Sequence, residues 1–455
     1  MLLRRIVTRS LALAAFGLIA LILASCGGGD SGPDLIYYNG VVLTMDAANS
    51  EATAIAIDGD VVLAVGGDEV RDLAGSGTEE IDLGGLTLMP GIIDPHTHFL
   101  IQEQLSAEEG QALALENGIT AHGSLFVDQR MLRDIRRFEA RGNLRVRTSL
   151  YLSRHTPCGE DIGEWYTSFP PVTDPSLMFR IIGVKHFADG GACQNVAVTQ
   201  QGGPVGNLWF TQEEMNQAVA EAQARGYQVA IHAMGDRAVE QAQIAIESAL
   251  DGAPNDLRHR IDHNNIIRPD LLPRYAEIGV VPVIWSYSRA CAPFYIGEIV
   301  VLENTSWLIP FRSLLDTGVQ HVAWQGDYDG TPQNPFLHLF GLVTGKAVSL
   351  GGARWAVDDA DVELGTVCVP PDWAKEETIT VEQALPMFTI NAAYVLGQES
   401  VIGSLEPGKF ADVVVTSDNP LTIDQDAIKD IQVLLTMVGG TVEYCATPSA
   451  GICPE

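Results

Sequence analysis

The chain has 455 residues, of which 46% are hydrophobic and 19% charged, a balance that excludes a disordered or fibrous protein and gives ample material for a core. Its 58 acidic and 27 basic residues leave a formal charge of -31, which disfavours nucleic acid and anionic lipid headgroups as partners, since both would repel it. What remains is a large globular unit with a solvated acidic surface, and the charge says nothing about a substrate.

The N-terminal stretch MLLRRIVTRSLALAAFGLIALILASC has a basic start, an apolar run from Leu11 to Leu23 that is short for a membrane span, and small residues before Cys26. It reads as a secretory signal over residues 1–25, and its Leu-Ala-Ser-Cys ending resembles a bacterial lipobox, which would make Cys26 the lipidated first residue of the mature protein. Residues 26–33, rich in Gly and Ser, suit a tether. The expected location is the cell envelope, on the outer membrane facing the periplasm. Setting Cys26 aside leaves six cysteines, with 15 possible pairings in an oxidising compartment; Cys445 and Cys453 are the simplest pair, and no Cys-x-x-Cys spacing suggests a metal.

Short strand-like runs with glycine turns occupy residues 34–88 and return at 400–445, so the two ends are expected to share one small β-sandwich, with 446–455 as a tail. Between them, over 89–399, strand-like runs alternate with helical patterns: LMPGIIDPHTH, GITAHGSLF, LRVRTSLYL, RIIGVKHFADG, YQVAIHAMG, RHRIDHNN, GVVPVIWS and GVQHVAWQGD. Strands separated by helices pair in parallel, and eight such units predict an α/β fold of the closed (β/α)8 barrel type, an open doubly wound sheet being the alternative.

Barrel active sites form at the C-terminal ends of the strands. His96 and His98 close the first strand, Lys185 lies late in the fourth, His232 in the fifth, His263 in the sixth, and Asp327 follows the eighth. A lone His-x-His at a strand end is more often a solvated or hydrogen-bonded pair than a ligand pair, but six such residues at strand ends point to one metal-binding mouth. His122, Arg154 and His155 are candidates for substrate binding from the second and third strands, with core or surface roles as alternatives.

The blocks LMPGIIDPHTH, GVKHFADGG, IHAMGDRAVE, RHRIDHNN, TINAAYVLG and GSLEPGKFADVVV resemble the signatures of the metal-dependent amidohydrolase superfamily, in its YtcJ-like or family 3 branch. The resemblance implies a barrel with a composite sandwich, and a ligand pattern that gives His96 and His98 to one ion, usually zinc, and His232 and His263 to a second. It further implies that Lys185 carries a carbamate bridging the two ions, and that Asp327 touches the first ion and handles the proton. Trp-Gln-Gly-Asp stands where the family usually has Gly-Ser-Asp, which makes Asp329 a second candidate for the role of Asp327. The implied reaction is hydrolysis of a non-peptide carbon–nitrogen bond in an amide, formamide or cyclic amide. The alternatives are another reaction on the same site, an ester hydrolysis or an isomerisation, and a non-catalytic metal- or solute-binding lipoprotein.

Overall fold

The computed structural model describes residues 32–101, 105–190, 193–199, 206–288, 290–291, 305–328, 331–351, 362–446 and 451–454. The expected signal segment, Cys26 and Asp329 lie outside the described residues.

The N-terminal strands are β1 (Leu35–Tyr38), β2 (Val41–Leu43), β3 (Glu51–Ala52), β4 (Ala54–Asp58), β5 (Val61–Gly66), β6 (Glu79–Asp82) and β7 (Thr87–Pro90). The barrel strands follow as β8 (Ile92–Thr97), β9 (Ile119–Val127), β10 (Arg147–Ser153), β11 (Phe179–Phe187), β12 (Gln228–Ala233), β13 (Arg260–His263), β14 (Val281–Trp285) and β15 (Ala323–Gln325). A short hairpin, β16 (Ala347–Val348) with β17 (Val367–Cys368), precedes β18 (Val413–Thr416), β19 (Val433–Val438) and β20 (Thr441–Cys445).

Both chain ends build the sandwich. One sheet has the order β5-β4-β1-β6 and the other β20-β19-β18-β7-β2-β3, so β18 from the C-terminal part pairs antiparallel with β7 from the N-terminal part. Alternation along these strands sends Leu35, Tyr37, Ile55 and Ile57 from one sheet against Val413, Val415, Leu435 and Met437 from the other, the half-buried pattern expected of packed sheets. A disulfide between Cys445 and Cys453 ties the last segment to this domain, and Cys158–Cys193 and Cys291–Cys368 complete three pairs.

The eight barrel strands run in sequence order, each parallel to the next. Closure is made where the chain leaves β15: Asp327 N–H donates to His96 O (2.8 Å), His98 N–H to Tyr328 O (2.9 Å), and the Trp324 indole to Ile93 O (2.7 Å). The fold is a (β/α)8 barrel. The run LMPGIIDPHTH, expected as one barrel strand, divides at Gly91 into β7 of the sandwich and β8 of the barrel, so the handover falls after Pro90. Gly91 permits the crossing because a Cβ there would meet Thr120 Oγ1 at 2.2 Å.

The helices Gln212–Ala224 and Asp236–Leu250 show how the outer layer is specified. The first starts from a capping box, Thr211 with Glu214, and buries Met215, Val219 and Ala222. The second buries Val239, Ala242 and Ile246 and stops at Asp251, in the left-handed region, followed by Gly252. Inside the barrel the packing is tight: Ile93, Ala121, Leu125, Tyr151, Ala230, Val281, Val283 and Ala323 fill the lumen. The helix Ile390–Val395 closes the bottom, its exposed carbonyls taken by Arg180 (Leu396 O, 2.7 Å), Gln228 (Val395 O, 2.9 Å) and Arg258 (Tyr394 O, 2.7 Å). With that end plugged, the C-terminal ends of the strands form the mouth. Among the described residues no helix is long and apolar enough to cross a membrane.

Candidate metal centre

Three strand ends deliver four histidines to one place. The ring centroids of His96 lie 5.4 Å from His98 and 4.9 Å from His263, and those of His232 and His263 are 4.3 Å apart. Simple alternation does not place them all. The pairing of β8 with β9 shifts register on either side of Ile93–Asp94, which re-aims the His96 end of the strand. In β13, Arg260 and Asp262 face the lumen, so strict alternation would turn His263 away from it; its φ of 76° turns the ring to the mouth instead. Asp327 is likewise left-handed, at 46°. Such conformations cost about 1–2 kcal/mol each in an L-residue and persist where surrounding bonds over-determine them.

The hydrogen bonds fix which ring nitrogen is free. His98 Nδ1 lies 3.3 Å from Leu125 O and its Nε2 3.1 Å from Asp327 Oδ1; the tautomer protonated at Nδ1 leaves the Nε2 lone pair to the centre. His96 Nδ1 faces Asp262 Oδ2 at 3.2 Å, without the alignment of a hydrogen bond, and its Nε2 looks to Asp327 Oδ1 at 3.4 Å. His232 Nε2 donates to Gly190 O (2.7 Å), leaving Nδ1 open. His96 Nε2 and His98 Nε2 thus converge on one carboxylate oxygen, an arrangement that a cation between them would satisfy. Two ligands about 2.05 Å from a tetrahedral zinc would sit about 3.3 Å apart, close to the spacing of these donors. The donor set fits a divalent ion.

Electrostatics agree. Burial, with Lys185 nearby, pushes His96 down to about 4 and His232 down to about 3, so both are neutral near pH 7. Burial and His232 hold His263 well below its usual range. Burial would raise Asp327, but His96, His98 and His263 around it hold it well below the usual carboxylate range, so it is ionised. Lys185 is fully buried, and burial lowers its pKa against the opposing pull of Asp262. Its Nζ donates to Asp262 Oδ2 (2.7 Å), and Arg260 Nε donates to Asp262 Oδ1 (2.7 Å).

Three candidates are not brought to this cluster. His122 sits mid-strand in β9 rather than at its end, and it points outward, stacked on Phe99 (4.2 Å) and bonded to Thr148 Oγ1 (2.9 Å). Arg154 is held by Asp161 (2.9 Å), with Glu164 and Glu221 within 4 Å. His155 stacks on Phe210 (4.0 Å) beside the outward-facing His186. Each follows from alternation and from nearby acids supplied by loops, which the strand pattern alone does not reveal.

Residues 106–444 match the Amidohydrolase family, three-quarters of the sequence. The chain belongs to that family, in its family 3 branch. The matched span begins after His96 and His98. An N-substituted formamide deformylase from Arthrobacter pascens is 27% identical over 342 residues, covering 73% of this chain and 58% of that protein. The YtcJ protein of Bacillus subtilis (strain 168) is 23% identical over 267 residues, 57% of this chain and 46% of its own length. The amidohydrolase described here thus spans about half the length of these relatives. Among solved structures, an uncharacterized metal-dependent hydrolase from Pyrococcus horikoshii OT3 superposes with a TM-score of 0.69 at 18% identity, covering 86% of this chain and 99% of that one. A Xaa-Pro dipeptidase gives 0.59 at 19%, covering 90% and 100%. At these identities the likeness is one of fold.

Residues not singled out from the sequence complete this amidohydrolase's centre. Asp262 is the shared acceptor of Lys185 and Arg260. Asp189 accepts the N–H groups of Ala197 (2.9 Å), Met234 (3.0 Å) and Gly235 (2.8 Å), pinning the loop that carries Gly190 O to the end of β12. Asp94, whose carboxyl burial raises to about 7, accepts from His96 N–H (3.0 Å) and Gly326 N–H (3.1 Å). The only signal for these was their place inside the blocks IIDPH, FADGG and RIDH. Around the mouth, Phe126, Phe187 and Trp285 lie 5.0, 5.1 and 6.0 Å from His98, His232 and His263, an aromatic wall that limits water.

Proposed function

We propose that the protein hydrolyses a non-peptide carbon–nitrogen bond, in an amide, formamide or cyclic amide, with zinc as its metal. The observation that carries this reading is that His96 Nε2 and His98 Nε2 lie 3.4 and 3.1 Å from Oδ1 of Asp327, an ionised and only slightly exposed carboxylate. A mere metal store has no need of a carboxylate that handles a proton. The deformylase relative acts on a formamide by name, which favours this bond among those the family cleaves.

A zinc ion held by His96, His98 and Asp327 would supply a Lewis acid for the substrate carbonyl and a water whose pKa is lowered to about 7. Asp327 then accepts the proton of the attacking water and returns it to the departing nitrogen, a role that needs it ionised at rest. Asp262, Leu125 O and Gly190 O hold the imidazoles in the tautomers that present a lone pair. Phe126, Phe187 and Trp285 keep bulk water from the reacting carbon and suit an apolar substituent on it. The chain is further proposed to be lipidated at Cys26 and held on the envelope; the three cysteine pairs support an oxidising compartment.

Metal analysis of the purified protein, joined to a screen of N-substituted formamides, N-acyl compounds and cyclic amides with Xaa-Pro dipeptides and esters for comparison, tests the reading. Turnover confined to dipeptides or esters would overturn the bond assignment, and a protein that takes up no divalent ion would overturn the whole.

A further inference from the structure

The backbone around Asp327 is tied to β8 as the chain leaves β15. Asp327 N–H donates to His96 O (2.8 Å), Gly326 N–H to Asp94 Oδ1 (3.1 Å), and Tyr328 O accepts from His98 N–H (2.9 Å). These bonds fix where the segment starts but not how it turns afterwards. The turn must keep Asp327 at a φ of 46°, a left-handed conformation that an L-residue leaves unless neighbouring bonds enforce it. Two bonds act from the far side. Thr331 Oγ1 donates to Gly326 O, and His338 Nε2 meets Pro332 O at 2.9 Å.

His338 stands outside the metal cluster, on the helix Pro335–Thr344, and is fully buried with its ring T-shaped to that of Trp324 (4.9 Å). Both of its ring nitrogens are engaged. Pro332 O can only accept, so Nε2 carries the hydrogen, and Nδ1 then accepts from Ser286 Oγ at 2.8 Å. Burial lowers the pKa of this ring to about 4, so the neutral form is the one present near pH 7. Ser286 Oγ also lies 3.0 Å from Gln325 O. One ring thus ties together the chain just past β14, the end of β15 and the segment that follows Asp327. A residue kept only to fill the space beside Trp324 needs none of these bonds.

We infer that His338 is a positioning residue for Asp327: by holding Pro332 O through its Nε2–H, it closes the turn that keeps the carboxylate 3.1 Å from His98 Nε2, 3.4 Å from His96 Nε2 and 3.8 Å from His263 Nδ1. The inference rests on the reading of Asp327 as the carboxylate that handles the proton. Misplacing a reacting group by about 1 Å costs about 100-fold in rate, so a single bond behind the turn is enough to govern turnover. The aromatic wall that meets the substrate belongs to other strands, and the loss should therefore fall on kcat rather than on KM.

The test uses the full-length protein and two substitutions that divide the ring in half. His338→Gln puts an amide N–H where Nε2 stands, keeping the bond to Pro332 O and leaving Ser286 to donate to Gln325 O, whereas His338→Asn reaches only Ser286. On a substrate turned over by the zinc-loaded parent, His338→Asn should lose about 10- to 100-fold in kcat with KM within about threefold, and His338→Gln should return to within about threefold of the parent in kcat. The second readout needs neither metal nor substrate. Hydrogen exchange of the metal-free protein, followed by mass spectrometry, should show the amides of Gln325 to Tyr328 exchanging at least about tenfold faster in His338→Asn and at the parent's rate in His338→Gln. Phe388→Leu, which loosens the ring stacked on Trp324 (4.5 Å), is the control for lost packing and should leave kcat unchanged. If His338→Asn does not fold, His338→Met, which fills the space without a donor, takes its place. Parental kcat or parental exchange in His338→Asn, equal losses in the Gln and Asn variants, or a comparable kcat loss in Phe388→Leu would each overturn the inference. A parent inactive on every carbon–nitrogen substrate would overturn the proposed function instead, and the exchange rates would still decide what holds Asp327.

Discussion

Asp262→Asn is the most informative single change in the lumen. The side chain is fully buried and accepts from Lys185 Nζ at 2.7 Å and Arg260 Nε at 2.7 Å, with His96 Nδ1 at 3.2 Å. Arg260 has other acceptors in Pro95 O (2.9 Å) and Tyr151 (3.2 Å), but its second guanidinium nitrogen has none, and Lys185 has no other acceptor among the hydrogen bonds of the described residues. Asparagine keeps the shape, removes the charge that balances two buried cations, and points an NH2 at one of three groups that need an acceptor. Breaking a buried pair by removing one partner costs about 3–5 kcal/mol. For a chain of this length the unfolding entropy is about 0.9 kcal/mol per kelvin, so the melting temperature should fall by about 3–6 °C. Zinc affinity should fall by about 10- to 100-fold, because His96 loses the carboxylate that orients it. Scanning calorimetry of the metal-stripped protein separates the first effect from the second, which zinc titration reads. A variant within about 1 kcal/mol of the parent when metal-free would refute the assignment of Asp262 as the charge that holds Lys185 and Arg260 in the lumen.

Asp327→Asn should retain most of its zinc and lower kcat by about two to four orders of magnitude, and its pH–rate profile should lose the acid limb of the parent; near-parental turnover would shift attention to Asp329. Gly326→Ala would bring a Cβ to 2.2 Å from Asp94 Oδ2, so the backbone between His263 and Asp327 must move; metal affinity should drop at least tenfold, measured by zinc titration against a chelator. Acid should destabilise the apoprotein through His122, whose pKa burial lowers from 6.5 to about 3. Between those values the unfolded chain binds the proton and the native one does not, so stability is lost as pH falls below 6.5, by about 2 kcal/mol at pH 5 from this group alone, a loss that His122→Gln should remove in denaturant titrations. Cys26→Ser should move the protein from the detergent-released membrane fraction to the soluble one; a parent already soluble would end the lipidation reading.

The fold was largely legible in the sequence because its signals are local. Helix Asp236–Leu250 spans the stretch DRAVEQAQIAIESAL that the apolar spacing marks, and each of the eight strand-like runs became a barrel strand, since period-two burial and glycine turns are properties of neighbouring residues. Gly91 escaped notice because the break it makes depends on Thr120, almost thirty residues away. At the site, residue types and strand ends were enough to gather His96, His98, Lys185, His232, His263 and Asp327 at one mouth. They were not enough to say what each does there. His122 was misplaced by counting it as a strand end when β9 runs on to Val127, and alternation then faces it outward. The roles of His98, His232 and His263 turn on a carbonyl of β9, a carbonyl after β11 and an amide on β15, each contributed by a different strand from the ring it touches. A ligand differs from a hydrogen-bond donor by where one proton sits, and that is set by contacts of high sequence separation. Motif spacing therefore finds the histidines of such a centre, while the partners of each ring come from residues distant in the chain.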